Sequence, residues 1–224
     1  MPTRRLRAGN LSASYPGMGG TPSADIGFPG KNTKYGNLML LELDIDTELR
    51  LRQMTQDDFP ALVECLNDED IARNTRSIPL PYTLQDARDF WEILQKRSQE
   101  ANGAPSHWVI EHREHGLMGT IAIFFKHGVE AHCDEIGYVI GRPWRGRGYA
   151  TAAVKALTAM QFETRPKLSR LEAWVYAYNP ASRRVLEKAG YTVEGFCRSI
   201  FLKNGQLVDA WLLARLRQDA ALPA

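Results

Sequence analysis

The residues best suited to chemistry gather between Arg142 and Thr151, where the chain reads R-P-W-R-G-R-G-Y-A-T. Gly146 and Gly148 let the main chain approach a bulky anion. A helix starting near Tyr149 aims its first unpaired N–H groups, and the positive end of its dipole, at the same point. The N–H groups from Arg145 to Ala150, with the Thr151 hydroxyl, are therefore a candidate phosphate cradle. Arg142, Arg145 and Arg147 add charge that suits a polyanion better than a single carboxylate. A Walker-type loop would need lysine and then Ser or Thr after its last glycine, where Tyr149 and Ala150 stand. A dinucleotide fingerprint would need a third small residue where Thr151 stands and an acid at the end of the next strand, whereas Glu172 lies inside the run Leu171 to Tyr176. The pattern met in full is Arg/Gln-x-x-Gly-x-Gly/Ala, by Arg145, Gly148 and Ala150.

The elements that hold this loop follow from periodicity. Alternation from Glu48 to Met54 predicts a half-buried strand, and Thr55 with Asp57 and Asp58 opens a helix bearing Phe59, Leu62, Val63 and Leu66 on one face. A short helix is expected from Asp68 to Thr75. The prolines of S-I-P-L-P-Y (77–82) forbid helix, and Thr83 starts another, with Ala87, Phe90, Trp91 and Leu94 at helical spacing. His107 to His112, Leu117 to Phe125 and Asp134 to Ile140 read as an antiparallel meander. The loop, a helix from Tyr149 to Glu163, a buried strand Leu171 to Tyr176 and a helix from Pro180 capped by Asn179 come next. Strands Thr192 to Leu202 and Leu207 to Leu216 turn at Asn204-Gly205. The strand–turn–helix units flanking 141–191 imply one parallel pair in a mixed sheet.

Composition sets the outer bounds. The 224 residues, 44% hydrophobic and 24% charged with a formal net charge of +2, suit one globular domain and demand neither nucleic acid nor an anionic membrane as partner. No apolar run approaches the length of a spanning helix. Cys65, Cys133 and Cys197, far apart and odd in number, fit reduced thiols inside a cell, so the expected location is cytoplasmic. Residues 1–38, rich in Gly, Ser, Pro and Asn, read as a disordered extension before a domain over 39–220. Arg4, Arg5 and Arg7 ahead of the first acid, Asp25, leave a mitochondrial or plastid targeting segment as the alternative. His112 with His115, or His132 with Cys133, do not assemble four ligands at zinc spacing, so no metal is expected.

Four stretches in order, D-E-I-G-Y-V-I (134–140), W-R-G-R-G-Y-A-T (144–151), N-P-A-S-R-R-V-L-E-K-A-G-Y (179–191) and V-E-G-F (193–196), carry a resemblance. From about Leu49 to Leu216 the chain resembles the GNAT superfamily of N-acetyltransferases, in its RimJ/RimL-like branch that acetylates ribosomal-protein N-termini. The resemblance implies an α+β fold: a mixed, mostly antiparallel twisted sheet flanked by helices, its strands splayed at the acyl-CoA site. It implies acetyl-CoA as cosubstrate and direct transfer of acetyl to a primary amine, a protein N-terminus or a small molecule such as a polyamine or antibiotic. A silent acyl-CoA-binding protein is the non-enzymatic alternative. The enzyme would be a monomer or homodimer.

Site residues follow from the same resemblance. Arg145, Gly146, Arg147, Gly148, Tyr149, Ala150 and Thr151 would hold the pyrophosphate, and Asn179 joins the cofactor-binding set. A bulge would free an N–H at Val139 or Ile140 to polarise the thioester carbonyl. Glu135 would act as base, with Asp134 able to substitute, and Ser182 would stabilise the departing thiolate. Tyr82 would wall the acceptor pocket, and Asp68, Glu69, Asp70 and Asp134 could give an acidic groove for a basic peptide. Arg183, Arg184 and Lys188 would reach toward the 3'-phosphate. Each has a structural alternative: Glu135 as a strand residue paired with a cation, Ser182 as a polar helix start, Tyr82 as packing, the arginines as a solvated face. Two departures stand out. Leu186 replaces the tyrosine acid of many GNAT enzymes, and Ala152 stands where this branch commonly has glutamate.

Overall fold

The eight strands run β1 (Glu42–Asp44), β2 (Leu49–Arg52), β3 (His107–His112), β4 (Gly116–Phe124), β5 (Cys133–Ile140), β6 (Arg170–Tyr176), β7 (Thr192–Lys203) and β8 (Gln206–Leu216). In the sheet their order is β1-β2-β3-β4-β5-β6-β8-β7. These come from a computed structural model that describes residues 42–101 and 103–221, so the proposed extension over 1–38 lies outside the described residues. Every neighbouring pair is antiparallel except β5 and β6, which a helical crossover forces parallel. The sheet is open and mixed, flanked by helices, as the GNAT-like α+β expectation required. β7 and β8 turn through Asn204 and Gly205, both at positive φ (50° and 79°), the geometry of a two-residue hairpin. The alternation L-E-L-D-I (41–45) signalled β1, which the sequence reading passed over; its Leu43 pairs with Leu51.

The helices are α1 (Phe59–Leu66), α2 (Glu69–Asn74), α3 (Leu84–Glu100), α4 (Tyr149–Thr164) and α5 (Pro180–Lys188). Their starts are set locally. Asp68 caps α2 by accepting from the N–H groups of Asp70 and Ile71, Thr83 and Asp86 form a capping box at α3, and Asn179 caps α5 with Pro180 at its first position. Two cores result. On one face Ile136 and Ile140 pack with Val154 and Leu157 of α4 and Leu186 of α5. On the other, Val109 and the partly buried Val139 pack with Leu62, Ile71, Tyr82 and Leu94 from the α1–α3 side. No helix among the described residues is long and apolar enough to cross a membrane.

The feature that positions the site is a parting of the sheet. β5 and β6 pair only at Cys133↔Arg170, Asp134↔Leu171 and Glu135↔Glu172. Beyond Glu135 each strand stays with its outer partner: β5 with β4 as far as Gly119↔Ile140, β6 with β8 as far as Tyr176↔Ala210. The anticipated bulge is absent, since the β4–β5 register is unbroken from Phe124↔Glu135 to Gly119↔Ile140. The gap opens because two stable antiparallel ladders diverge.

Candidate active site

Backbone alternation decides which main-chain groups face the gap. The Gly141 N–H donates to the Met118 carbonyl at 2.8 Å, whereas the His132 carbonyl accepts from Ser169 and Arg170. Main-chain groups of odd-numbered β5 residues therefore turn to β4, and those of even-numbered residues turn to β6. Past the last pair, Tyr138 and Ile140 present N–H groups to the gap. Val139 does not: its carbonyl lies 2.1 Å from where a Cβ on Gly119 would sit, so its main chain belongs to the β4 side. The expectation for Ile140 fits this geometry; that for Val139 is corrected, because without a bulge the alternation is never reset. Across the gap the same logic applies. The Ala177 N–H donates to Asp209 on the β8 side, so Trp174 and Tyr176 direct main-chain groups toward β5.

At the open end lies the glycine loop. A short 3-10 turn over Arg142–Trp144 leads to Gly146 (φ 76°) and Gly148 (φ 88°), the latter at the cap of α4. Both are left-handed, with nothing within 4 Å of an added Cβ. No hydrogen bond among the described residues uses the N–H groups of Gly146, Arg147, Gly148, Tyr149, Ala150 or Thr151; the first closed in the helix is Ala152 N–H to Gly148. Six adjacent donors beside an open surface, at a helix start, fit an anionic diphosphate.

The arginines behave otherwise. Arg145 donates from Nε to the Ile140 carbonyl at 3.0 Å and from Nη1 to Asp70 at 3.0 Å, and Arg142 Nε donates to Asp68 at 2.9 Å. Their charges are spent fixing the loop to α2, while Arg147 lies over the Trp144 ring at 5.4 Å. Burial works against ionised Asp68, but bonds from Arg142, the Ile71 N–H and Arg145 outweigh it and bring its pKa down to about 2. The acidic groove expected from Asp68, Glu69, Asp70 and Asp134 is thereby corrected, because Asp68 and Asp70 are held by the loop arginines. Asp134 is 0% exposed and accepts from Arg165 and the Lys126 N–H, which also removes it as a substitute base.

Glu135 sits at the last β5–β6 pair, facing the α1–α3 side, with its side chain 17% exposed. It is bound by Arg76, whose Nη2 donates at 2.7 Å. Burial raises its pKa and the Arg76 charge partly offsets the rise. Ser182 lies on the opposite face. Its Oγ is 2.9 Å from the Tyr138 hydroxyl, which also donates to the Ser182 carbonyl at 3.0 Å. A phenol has one proton, so Ser182 Oγ–H is the donor of the shorter contact, and its proton is already in use. Burial pushes the Tyr138 hydroxyl well above its ordinary value.

The remaining candidates have structural duties. Asn179 Oδ1 accepts from the Ser182 N–H at 3.1 Å as the α5 cap. Tyr82, expected at the acceptor pocket, is 5% exposed within the second core, where its apolar body fills space between α1 and α3. Arg183 pairs with Glu187 and stacks on Trp211. Sequence reasoning missed Arg76 and Tyr138. Tyr138 stood in the quoted D-E-I-G-Y-V-I run, whereas nothing local marks Arg76, which reaches Glu135 from 59 residues away.

Residues 48–192 match a family model described as acetyltransferase (GNAT) domain. The chain is 31% identical over 172 residues to the uncharacterized N-acetyltransferase YoaA of Bacillus subtilis, covering 76% of this chain and 92% of that one. It is 23% identical to the L-amino acid N-acetyltransferase AaaT of Escherichia coli, covering 76% and 99%. Among solved structures, RimL, a ribosomal L7/L12 alpha-N-protein acetyltransferase in complex with coenzyme A, superposes with a TM-score of 0.68 at 18% identity, covering 78% and 97%. That likeness is one of fold.

Proposed function

The chain belongs to the GNAT acetyltransferase family and is an acetyl-CoA-dependent N-acetyltransferase, and from that premise we propose that its acceptor is the α-amine of a protein N-terminus. The carrying observation is the gap that opens immediately beyond Glu135, with Ile140 N–H inside it and the free donors of residues 146–151 at its mouth. Supporting the acceptor class is the order of the four motifs from 134 to 196, which resembles the N-terminal acetyltransferase branch.

In this reading the donors from Gly146 to Thr151 hold the pyrophosphate, and main-chain groups of Tyr138, Trp174 and Tyr176 pair with the amide-rich arm as a strand would, while the Ile140 carbonyl is already taken by Arg145. Acetyl-CoA supplies an activated thioester. Ile140 N–H polarises its carbonyl, the oxyanion-type contribution of a fixed main-chain dipole. Glu135 and Ser182 act from opposite faces, so the amine approaches from the α1–α3 side and the thiol departs toward α5. An α-amine has a pKa of about 8, and a carboxylate raised by burial can take its proton, directly or through one water. Thiolate departure needs little assistance, and the Ser182–Tyr138 pair offers a polar contact rather than an acid. Acetyl passes directly to nitrogen, with no acyl-enzyme.

Acetylation of a small amine is the second reading, favoured by the relative named for L-amino acids. A panel of peptides with free or blocked N-termini, lysine side chains, amino acids and polyamines, scored for coenzyme A release and acetyl position by mass spectrometry, separates the two. Turnover of small amines with no peptide N-terminus acetylated would overturn the proposal.

A further inference from the structure

The acceptor side of the gap is roofed by a strap. α2 is tied at its start to the loop after β5, through Asp68 and Asp70 to Arg142 and Arg145. Its far end is tied to the segment that follows β6 and to β7: the Tyr178 hydroxyl donates to the Arg73 carbonyl at 2.9 Å, and Lys203 Nζ donates to the Thr75 carbonyl. The helix therefore spans the parting between β5 and β6 on the face to which Glu135 points.

The charges along this strap are unbalanced. Arg73 lies over the Tyr178 ring at 4.8 Å and Arg76 over the Phe201 ring at 4.6 Å. Among the described residues neither Arg73 nor Lys203 has an ion-pair partner, and Arg76 has only Glu135. The neighbouring acid, Glu172, is neutralised by Lys126 at 2.6 Å and Arg170 at 3.2 Å. Three cations thus face one carboxylate over a floor of Tyr176, Tyr178 and Phe201, the Tyr176 ring lying 5.4 Å from that of Tyr178 and 5.8 Å from that of Phe201. Arg76 spends bonds from Nη1 and Nη2 on Glu135, which leaves other guanidinium N–H groups open.

We propose that the acceptor carries a carboxylate within a few bonds of its amine, recognised by Arg73, Arg76 and Lys203. This rests on the acceptor side assigned above and names its chemistry: an N-terminus followed by acidic residues, or an amino acid with a free α-carboxylate. A basic peptide brings charge that the two surplus cations repel, whereas a carboxylate gains charge-assisted bonds and leaves Glu135 free for the ammonium proton. The same cations favour the neutral, nucleophilic amine.

The test is competition among hexapeptides identical but for residues 2 and 3, as Asp-Asp, Asn-Asn or Lys-Lys, with free amino acids and their amides as a second arm. The expected kcat/KM favours Asp-Asp over Asn-Asn by about tenfold or more, disfavours Lys-Lys, and loses contrast at high salt. R73E should reverse the order and K203Q should flatten it, acetyl-CoA binding in each variant confirming a folded protein. Equal or reversed preference in the wild type overturns this inference and leaves N-terminal acetylation standing. Turnover of amino acids over their amides, with no peptide acetylated, defeats the N-terminal reading and upholds this one. No turnover of any amine by an acetyl-CoA-binding protein defeats both.

Discussion

Gly119 offers the sharpest test of how the sheet places the proposed carbonyl-polarising N–H of Ile140. It lies on β4 opposite Ile140, and an added Cβ would stand 2.1 Å from the Val139 carbonyl oxygen and 3.1 Å from the Ile140 Cα. A comfortable carbon–oxygen contact is about 3.3 Å, so in G119A the end of β5 must retreat by roughly 1 Å. Overpacking of this kind costs about 1–3 kcal/mol. At about 2–4 °C per kcal/mol for a domain of this size, the melting temperature should fall by roughly 2–12 °C. The same retreat displaces Ile140 N–H, and a misplacement of about 1 Å at a reacting centre is worth on the order of 10²-fold. Continuous thiol detection of coenzyme A should show kcat falling by about that factor, with a smaller change in KM for acetyl-CoA because the loop donors begin at Gly146. A variant destabilised as expected but retaining kcat within about twofold would refute the assignment of Ile140 N–H. One with an unchanged melting temperature would refute the packing argument itself.

Other consequences are open to direct measurement. E135Q should lower kcat/KM by about 10²–10⁴-fold and abolish the acid limb of the pH–rate profile. Since burial raises the Glu135 pKa and Arg76 lowers it, R76A should move that limb to higher pH, and a shift to lower pH would contradict the pairing. A150P removes one loop donor at a position in the first helical turn where proline is tolerated. KM for acetyl-CoA should rise about tenfold or more with helical content intact by circular dichroism. D68A removes the α2 cap, costing about 0.5–2 kcal/mol by denaturant titration. Because the folded-state pKa of Asp68 is depressed to about 2 from 3.8, its contribution is present above pH 4 or so and is lost as pH falls toward 2.

Most of the scaffold was legible because its signals are local. Asn179-Pro180, Thr83 with Asp86, and Asn204-Gly205 each satisfy their own backbone, and α4 follows from the glycines that precede it. The proposed phosphate loop was readable for the same reason: its candidate ligands are main-chain N–H groups, and glycine spacing reports where the main chain is accessible. Side-chain roles were less legible because they depend on partners distant in sequence. Arg142 and Arg145 looked like phosphate ligands until Asp68 and Asp70, some 75 residues earlier, claimed them. Tyr82 looked like a pocket wall until α1 and α3 closed over it. The bulge expected in β5 could not be checked from its own residues, since a bulge is a relation between two strands.

The period of two along β5 divides the work of the site among four directions. Side chains of Ile136 and Ile140 anchor the strand to the α4 core and that of Tyr138 reaches Ser182 on the same face, while Glu135 and Val139 point toward α1–α3. Main-chain groups of the odd residues hold β4, and those of Tyr138 and Ile140 are left to the gap. The proposed base on one face, thiol exit on the other and carbonyl-polarising N–H between them would thus all follow from a single register. A slip of one residue would turn Glu135 into the α4 core, Ile136 toward α1–α3 and Ile140 N–H into the ladder. The Gly119 contact that leaves no room for a Cβ resists that slip, because only a glycine opposite Ile140 lets β4 and β5 lie this close. In the proposed mechanism catalytic geometry and strand register are therefore one constraint, and substitutions that loosen β4 against β5 should cost activity before they cost fold.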